Sequence, residues 1–300
     1  MKIFVTGGTG FVGTRLITAL IEQGHQVTVL TRQAIHDDTS DIDLVQGNPM
    51  VKGKWQQVAA EHDVIINLAG ENIFGRWTQA KKEAIRDSRI LSTANVVEAI
   101  ARGQKKEMLL FNASAVGYYG FHGDEMLTED STAGVDFLGS VARQWEGEAQ
   151  KAEYFGARVV LCRFGVILGK HGGALEKMLP VFSVGFGSAL GSGKQWFSWI
   201  HIDDLVRIFL FLLDRPTITG PVNCTSPNPV RNSEFARSLS EILNKPYFMP
   251  NVPGFVIRTV LGQFGEILIK GQRVIPKKLL HAGFEFRFPE HKKSLESIVK

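Results

Sequence analysis

Cysteine is scarce: Cys162 and Cys224 are the two present in 300 residues, too few for a disulfide framework or a cysteine-ligated zinc site. Cys162 lies inside the apolar run Val159-Val160-Leu161-Cys162, which reads as a buried structural thiol in a reducing, cytoplasmic setting. The opening run Met1-Lys2-Ile3-Phe4-Val5 meets a glycine cluster long before it could serve as a signal peptide or a membrane span, so no membrane partner is expected. Charge of one sign is also missing. Lysine and arginine total 34 against 30 acidic residues, a net +4, and the basic residues are scattered with no interleaved aromatics. That excludes nucleic acid as the expected partner and suits a small anionic molecule better. No histidine, cysteine or aspartate cluster has metal-ligand spacing, so no metal is expected.

What is present is a regular alternation. Short apolar runs at 2–5, 26–31, 43–46, 63–68 and 108–113 are separated by longer segments of helical period, which demands crossover connections and a parallel sheet. A first helix is expected over 13–23, with Val12, Leu16, Ile17, Leu20 and Ile21 on one stripe and Gly24 ending it. A second is expected over 79–102, its apolar face made by Ala84, Ile85, Ile90, Leu91, Ala94, Val97 and Ile100, and a third over 137–154. The run from Arg158 to Leu168 reads as one more buried strand, giving a core sheet of at least six. The fold class is α/β: a Rossmann-type, doubly wound parallel sheet with a smaller carboxy-terminal substrate lobe. Residues 1–170, with a return segment near 198–225, form the dinucleotide-binding part. Residues 171–197 are glycine-rich and, with 226–300, form the lobe and a subdomain containing a helix over 255–269.

Thr6-Gly7-Gly8-Thr9-Gly10-Phe11-Val12-Gly13 stands between the first strand and the first helix. Gly7 permits the tight turn, Gly10 lets the backbone approach a pyrophosphate, and Gly13 allows close helix packing, while the helix amino terminus favours the phosphate charge. Thr6, Gly7, Gly10, Phe11, Val12 and Gly13 are therefore the expected cofactor contacts. The second strand ends Val29-Leu30-Thr31-Arg32, where an NAD site would place a carboxylate. A guanidinium there pairs with a 2′-phosphate, which favours NADP over NAD. Asp37 or Asp38 remains an alternative contact to the ribose.

These features, with Asn67-Leu68-Ala69-Gly70 after the fourth strand, Ser114 after the fifth, and Phe197-Ser198-Trp199-Ile200-His201-Ile202-Asp203-Asp204, resemble the extended short-chain dehydrogenase/reductase superfamily. Asn67 to Asn72, Ser114-Ala115-Val116-Gly117-Tyr118-Tyr119-Gly120 and the tail Gly271-Gln272-Arg273-Val274-Ile275-Pro276 resemble its atypical YfcH-type epimerase family, which ends in a short domain of undefined function. The resemblance implies that Asn67, Leu68 and Ala69 line the cofactor and that Asn48 lies near the adenine; Gly70 beside them, and Arg163 after the sixth strand as an anion contact, are further expected cofactor residues. The resemblance also implies substrate contacts from Glu71, Lys194 and His201, and a homodimer through the helices at 79–102 and 137–154; His201 lies in an apolar-alternating run, where a satisfied structural histidine is the favoured reading.

Hydride chemistry in that superfamily uses a serine or threonine, a tyrosine that moves the proton and a lysine four residues later. A phenol with a free pKa near 10 needs nearby positive charge to act as a base at neutral pH. Ser114 supplies the first element. The Tyr-x-x-x-Lys pair is absent from the expected helix, which reads Phe137-Leu138-Gly139-Ser140-Val141-Ala142-Arg143-Gln144-Trp145-Glu146. Three readings stay open. Tyr118 or Tyr119 acts as acid/base; Asp124, Glu125 or another carboxylate moves the proton in a different reaction; or the chain is a dinucleotide-binding regulatory or scaffold protein, as relatives with cell- or plastid-division labels suggest. Arg76, Arg89 and Arg273 are further candidate anion contacts, and Asp203 or Asp204 is expected to cap a helix beginning at Leu205.

Overall fold

The computed structural model describes residues 1–33, 42–103 and 107–300, so Asp37 and Asp38 lie outside the described residues. Strand β1 (Lys2–Thr6) turns into α1 (Phe11–Glu22), followed by β2 (Gln26–Thr31), β3 (Ile42–Gln46), α2 (Trp55–Ala59) and β4 (Val64–Asn67). Next come α3 (Gln79–Arg102), β5 (Leu109–Ala115), a 3-10 turn over Val116–Tyr119, β6 (Met126–Leu127), α4 (Phe137–Gln150) and β7 (Arg158–Phe164). The chain continues through β8 (Val166–Gly169), α5 (Gly173–Ser183), β9 (Trp196–Phe197), β10 (Trp199–His201), α6 (Ile202–Leu213) and β11 (Gly220–Cys224). It finishes with β12 (Val230–Arg231), α7 (Asn232–Ile242), α8 (Gly254–Leu261), α9 (Phe264–Ile269), β13 (Arg273–Val274), α10 (Lys277–His281) and α11 (His291–Val299).

Seven strands form one sheet in the order β11-β7-β5-β4-β1-β2-β3, and every neighbouring pair is parallel. The connection reverses direction between β1 and β4, which opens a crevice at the carboxyl ends of those strands. Both faces of the central strands are covered, so their middles are apolar. On β1, Ile3 and Val5 join Leu16, Leu20, Ile208 and Phe209 on the α1–α6 face. Phe4 points the other way, to Trp55, Ile65, Val96 and Leu110 on the α2–α3 face.

Several elements differ from the sequence reading, each for a local reason. The run from Arg158 to Leu168 is two strands, because a Cβ at Gly165 would lie 2.9 Å from the Ser198 carbonyl oxygen, and β8 leaves the sheet there to pair with β10. Gly262, at φ +59°, divides the expected 255–269 helix into α8 and α9. Helix α3 buries Ile85, Val97 and Ile100 of the expected stripe, but Ala84 and Leu91 are exposed, and Ser88, Ser92, Thr93 and Asn95 are buried as well, beside Val96 and Ala99. Small hydroxyls bend back onto the helix backbone there, Ser92 Oγ donating to Ser88 O at 2.6 Å, which lets α3 lie close.

The carboxy-terminal segment is stitched to the sheet. Leu279 and Phe284 belong to the same apolar cluster as Ile208 and Phe209. Leu295 and Ile298 of α11 pack with Phe235 and Leu239 of α7. No helix among the described residues is long and apolar enough to cross a membrane.

His201 and His291 are buried, and desolvation lowers both pKa values below the ordinary histidine value of 6.5, against the pull of nearby carboxylates. The unfolded chain therefore binds more protons than the folded one as pH falls below about 6.5. The stability these neutral imidazoles carry is present above that pH and is lost on acidification. The thermal midpoint is expected to drop between pH 7.5 and 5.5, and His201→Asn, which keeps a capping acceptor, should flatten part of the slope; a midpoint constant or rising over that interval would contradict the assignment.

Candidate functional site

The glycine turn is pressed against the segment that follows β4. Gly7 has φ +70°, and a Cβ on it would lie 2.7 Å from the Leu68 carbonyl carbon and 2.9 Å from the Ala69 nitrogen. Gly13 is equally constrained, its would-be Cβ falling 2.4 Å from Gly7 O, so it lets α1 pack on the turn itself. Gly10 is the amino-terminal cap of α1 and no side chain caps that helix. A Cβ at Gly10 would meet only Gly7 O, at 3.2 Å, and would otherwise occupy the space in front of the helix. This is a cradle for a pyrophosphate: amides of Phe11, Val12 and Gly13 in the first turn, the positive end of a helix dipole, and no intruding side chain. The Phe11 ring turns away from the cradle. It packs on the loop after β8, where Cβ atoms at Gly169 and Gly172 would fall 2.7 and 2.3 Å from it. The glycines between the end of β8 and the start of α5 thus make room for one aromatic ring from the glycine turn.

Beneath the turn runs a buried polar chain. Thr6 Oγ1 donates to Asn67 Oδ1 at 2.6 Å, and Asn67 Nδ2 donates to Asn112 Oδ1 at 2.7 Å and Thr93 Oγ1 at 2.9 Å. Trp145 Nε1 donates to the same Thr93 hydroxyl at 2.9 Å. The side chains of Thr6 and Asn67 are fully buried in this chain, so they shape the cleft from below rather than from its surface. Leu68 and Ala69 are partly exposed and Gly70 is exposed, at the edge facing the turn. Arg32 is exposed directly after β2, with no hydrogen bond or ion pair to a described residue. Asn48, exposed after β3, uses its Oδ1 to accept from Met50 N at 3.0 Å. Arg89, which the sequence places only among candidate anion contacts, lies beside Gly70. It donates to Glu71 O and Ile85 O, and burial brings its pKa down to about 10 against the charge of Glu71.

The structure corrects several expected roles. Ser114 Oγ is buried and donates to Glu146 Oε1 at 2.6 Å. Arg163 is 2% exposed and grips the same carboxylate through two parallel bonds, Nε to Oε1 at 2.8 Å and Nη2 to Oε2 at 2.7 Å. It is an internal clamp and not a cofactor contact. Burial works to lower its pKa, but the hydrogen bonds and charge of Glu146 raise it above the ordinary arginine value. Tyr119 is fully buried, accepting from Arg163 Nη1 at 2.9 Å and donating to Asn223 Oδ1 at 2.6 Å. Burial lifts its phenol to about 12, the wrong direction for a base at neutral pH. Tyr118 differs: it is partly exposed, its ring lies 3.5 Å from the Arg163 guanidinium, and it lines a cavity of about 320 Å³ with Glu129 and Arg143.

His201, a substrate contact or a structural histidine in the sequence reading, is the cap of α6. Its Nδ1 accepts from Asp203 N at 3.0 Å, and its ring stacks on Phe288. Helix α6 accordingly starts at Ile202, and neither aspartate caps it. Asp204 is buried and accepts from the backbone amides of Arg287 and Phe288, both at 2.8 Å, while Asp203 pairs with Arg15 at 3.0 Å. Glu71 is exposed and paired with Lys81 at 2.6 Å; Lys194 is exposed on the lobe, away from the glycine turn in sequence and joined to Arg231 through its carbonyl. Along α4, the four-residue spacing passes from Leu138, against Gly117, through buried Ala142 to Glu146, so an apolar pair precedes the carboxylate.

Glu146 is not among the sequence candidates, because a glutamate in an amphipathic helix carries no sign of burial. Removing its charge strands Arg163 in the interior. Glu146→Gln is expected to destabilise the fold by about 3–5 kcal/mol in urea titration, against about 1 kcal/mol for Ser114→Ala. A loss for Glu146→Gln no larger than that for Ser114→Ala would show that the ion pair is not the anchor described.

Residues 3–224 match the family model described as NAD dependent epimerase/dehydratase, and residues 252–298 match a domain of unknown function, DUF1731. The chain is 39% identical to Epimerase family protein YfhF of Bacillus subtilis, over 100% of this chain and 98% of the relative. It is 39% identical to the chloroplastic Epimerase family protein SDR39U1 homolog of Arabidopsis thaliana, over 100% and 87% of the two chains. Among solved structures, human epimerase family protein SDR39U1 with NADPH superposes with a TM-score of 0.87 at 32% identity, covering 99% of both chains. UDP-glucuronic acid 4-epimerase from Bacillus cereus, in complex with UDP-glucuronic acid and NAD, shares the fold at a TM-score of 0.81 and 17% identity, over 99% of this chain and 98% of that one. The uncapped glycine turn, the parallel sheet and these matches over the whole chain agree: the protein belongs to the NAD dependent epimerase/dehydratase family, as an extended atypical short-chain dehydrogenase/reductase with a DUF1731 carboxy terminus.

Proposed function

We propose that the protein binds NADP(H) and exchanges hydride with a small polar substrate, as an oxidoreductase or an epimerase-like enzyme. Arg32 carries the reading. Its exposed guanidinium, unpartnered among the described residues, stands at the end of β2, where a carboxylate would favour NAD and repel a 2′-phosphate. The human relative bound to NADPH adds support. When bound, the nicotinamide supplies or accepts the hydride. The chain's own residues do the holding: the amides of Phe11 to Gly13 receive the pyrophosphate, Arg32 the 2′-phosphate, and Leu68 to Gly70 border the nicotinamide end. Tyr118 is the tyrosine near Ser114 whose hydroxyl has no hydrogen bond to a described residue, although its ring lies on the Arg163 guanidinium, and it is the residue we assign to proton transfer. Two free, buried thiols suit a reducing compartment such as the cytoplasm.

One observation favours a second reading, in which the chain is a dinucleotide-binding regulatory or scaffold protein. Ser114, Arg163 and Tyr119 are all engaged internally, and α4 offers Leu138 and Ala142 where a tyrosine–lysine pair would be expected. Turnover of NADPH with a panel of sugar nucleotides and carbonyl compounds separates the two: activity that is lost in Tyr118→Phe supports the enzyme, whereas tight NADPH binding with no turnover supports the scaffold.

Cofactor choice is tested independently of turnover. Arg32→Ala is expected to weaken NADPH binding about tenfold or more, the worth of a charge-assisted contact, while changing NADH affinity by no more than about twofold. Equal losses for both cofactors, or none, would overturn the NADP assignment.

A further inference from the structure

Arg89, on α3, is only half committed. Its Nη1 donates to Glu71 O at 3.1 Å and to Ile85 O at 2.9 Å, while Nε and Nη2 make no hydrogen bond to a described residue. The guanidinium carbon lies 5.2 Å from the centroid of the Trp145 ring on α4. A Cβ on Gly70 would fall 3.4 Å from the same carbon and 3.5 Å from Nη2. The guanidinium thus rests against an aromatic ring and against Gly70, the residue after β4 that has no side chain to cover it.

The segment beside it is pinned at both ends. Leu68 N donates to Thr6 O at 3.1 Å, and Ala69 N to Thr6 Oγ1 at 3.3 Å. At the other end, Glu71 N donates to Ser88 Oγ at 2.9 Å, Glu71 O accepts from Arg89, and the Glu71 carboxylate pairs with Lys81 at 2.6 Å. Between these points the Gly70 amide and the Ala69 and Gly70 carbonyls make no hydrogen bond to a described residue. A short stretch of open backbone is therefore held in one path next to the glycine turn, where Gly7 packs on Leu68 and Ala69. Arg89 supplies one of the pins and also a charge. Glu71 and Lys81 offset each other, which leaves the guanidinium unbalanced at this segment. Burial brings its pKa down to about 10, so it stays protonated at neutral pH.

We infer that Arg89 positions the 69–71 backbone at the nicotinamide end and biases the site towards the reduced over the oxidised cofactor. This rests on the cofactor reading above, which brings the nicotinamide to residues 68–70. The oxidised ring carries a formal positive charge, and the reduced ring, with the added hydride, is neutral. A fixed cation beside the ring raises the free energy of the oxidised form alone, and partial burial of the guanidinium limits screening by salt. A contact to the pyrophosphate would act differently, because that group has the same charge in both redox forms and would strengthen both alike.

Calorimetric titration of the full chain with NADPH, NADP+ and 2′,5′-ADP tests this, since 2′,5′-ADP carries the adenine half and the 2′-phosphate without the nicotinamide. In Arg89→Met the ratio of the NADP+ Kd to the NADPH Kd is expected to fall about threefold or more, with 2′,5′-ADP affinity within about twofold of wild type. Arg89→Lys keeps the charge but not the fork, so both redox forms should weaken while the ratio holds within about twofold. A role confined to packing would move both forms together. Glu71→Gln, at an exposed position, removes the opposing carboxylate and should raise the ratio. A ratio unchanged in Arg89→Met, or lowered as far in Arg89→Lys, overturns the inference and leaves the cofactor reading intact. Should Arg89→Met no longer bind 2′,5′-ADP, Glu71→Gln decides, and a ratio unchanged or lowered there overturns the inference. Failure of the wild-type chain to bind both NADPH and 2′,5′-ADP removes the cofactor reading and the inference with it.

Discussion

The site depends on a chain of buried hydrogen bonds that links three parallel strands to two helices. Thr6 of β1, Asn67 of β4 and Asn112 of β5 are fully buried polar side chains at or near the carboxyl ends of adjacent strands, and Thr93 of α3 and Trp145 of α4 complete their bonding. Unpaired, each would cost about 1–3 kcal/mol; fully paired, they fix the relative positions of β1, β4 and β5 at the crevice. The same register sets the distance between Gly7 and the Leu68–Ala69 backbone. A larger residue at Gly7 would therefore disturb this polar chain as well as the cofactor turn.

A second buried assembly lies one strand further along, and it commits the polar groups around Ser114 to one another. Arg163 reaches from β7 to Glu146 on α4 and to Tyr119 in the turn after β5, while Ser114 shares the carboxylate. The groups that sequence reasoning nominates for proton transfer are thus largely consumed in holding α4 against the sheet. A phenol raised to about 12 and a serine hydroxyl directed at a glutamate are structural parts. The Tyr118 ring lies on the same guanidinium, but its hydroxyl makes no hydrogen bond to a described residue.

How much of this is legible in the sequence follows from the range of the forces involved. The sheet, its parallel sense and the glycine turn are readable because apolar periodicity and glycine geometry act locally: Ile3, Phe4 and Val5 are apolar because both faces of β1 are covered. The buried face of α3 escapes such a reading because Ser88 and Ser92 satisfy themselves on their own helix, which apolar counting does not register. Arg163 reads as a ligand contact because charge usually marks a surface, and a ligand contact is one of the two readings open for His201. Their partners, Glu146 17 residues earlier and the amide of Asp203 two residues on, decide otherwise. Such pairings depend on tertiary distances, and single-residue chemistry does not contain them.

The carboxy-terminal segment sharpens the same point. Matched as a separate domain, it has no separate core: Leu279 and Phe284 fill the main apolar cluster, and Asp204 of α6 holds the backbone of Arg287 and Phe288. Phe264 packs against Phe74, in the loop after β4, and near Trp77, which meets Phe137 at the start of α4. The segment therefore braces the far wall of the cleft from both ends while its middle carries Arg273 past Trp196. Its position relative to the sheet is set by buried apolar and backbone contacts rather than by a flexible linker. The charge on β13 is consequently held in a fixed place against the Trp196 ring by the packing of the segment on either side of it.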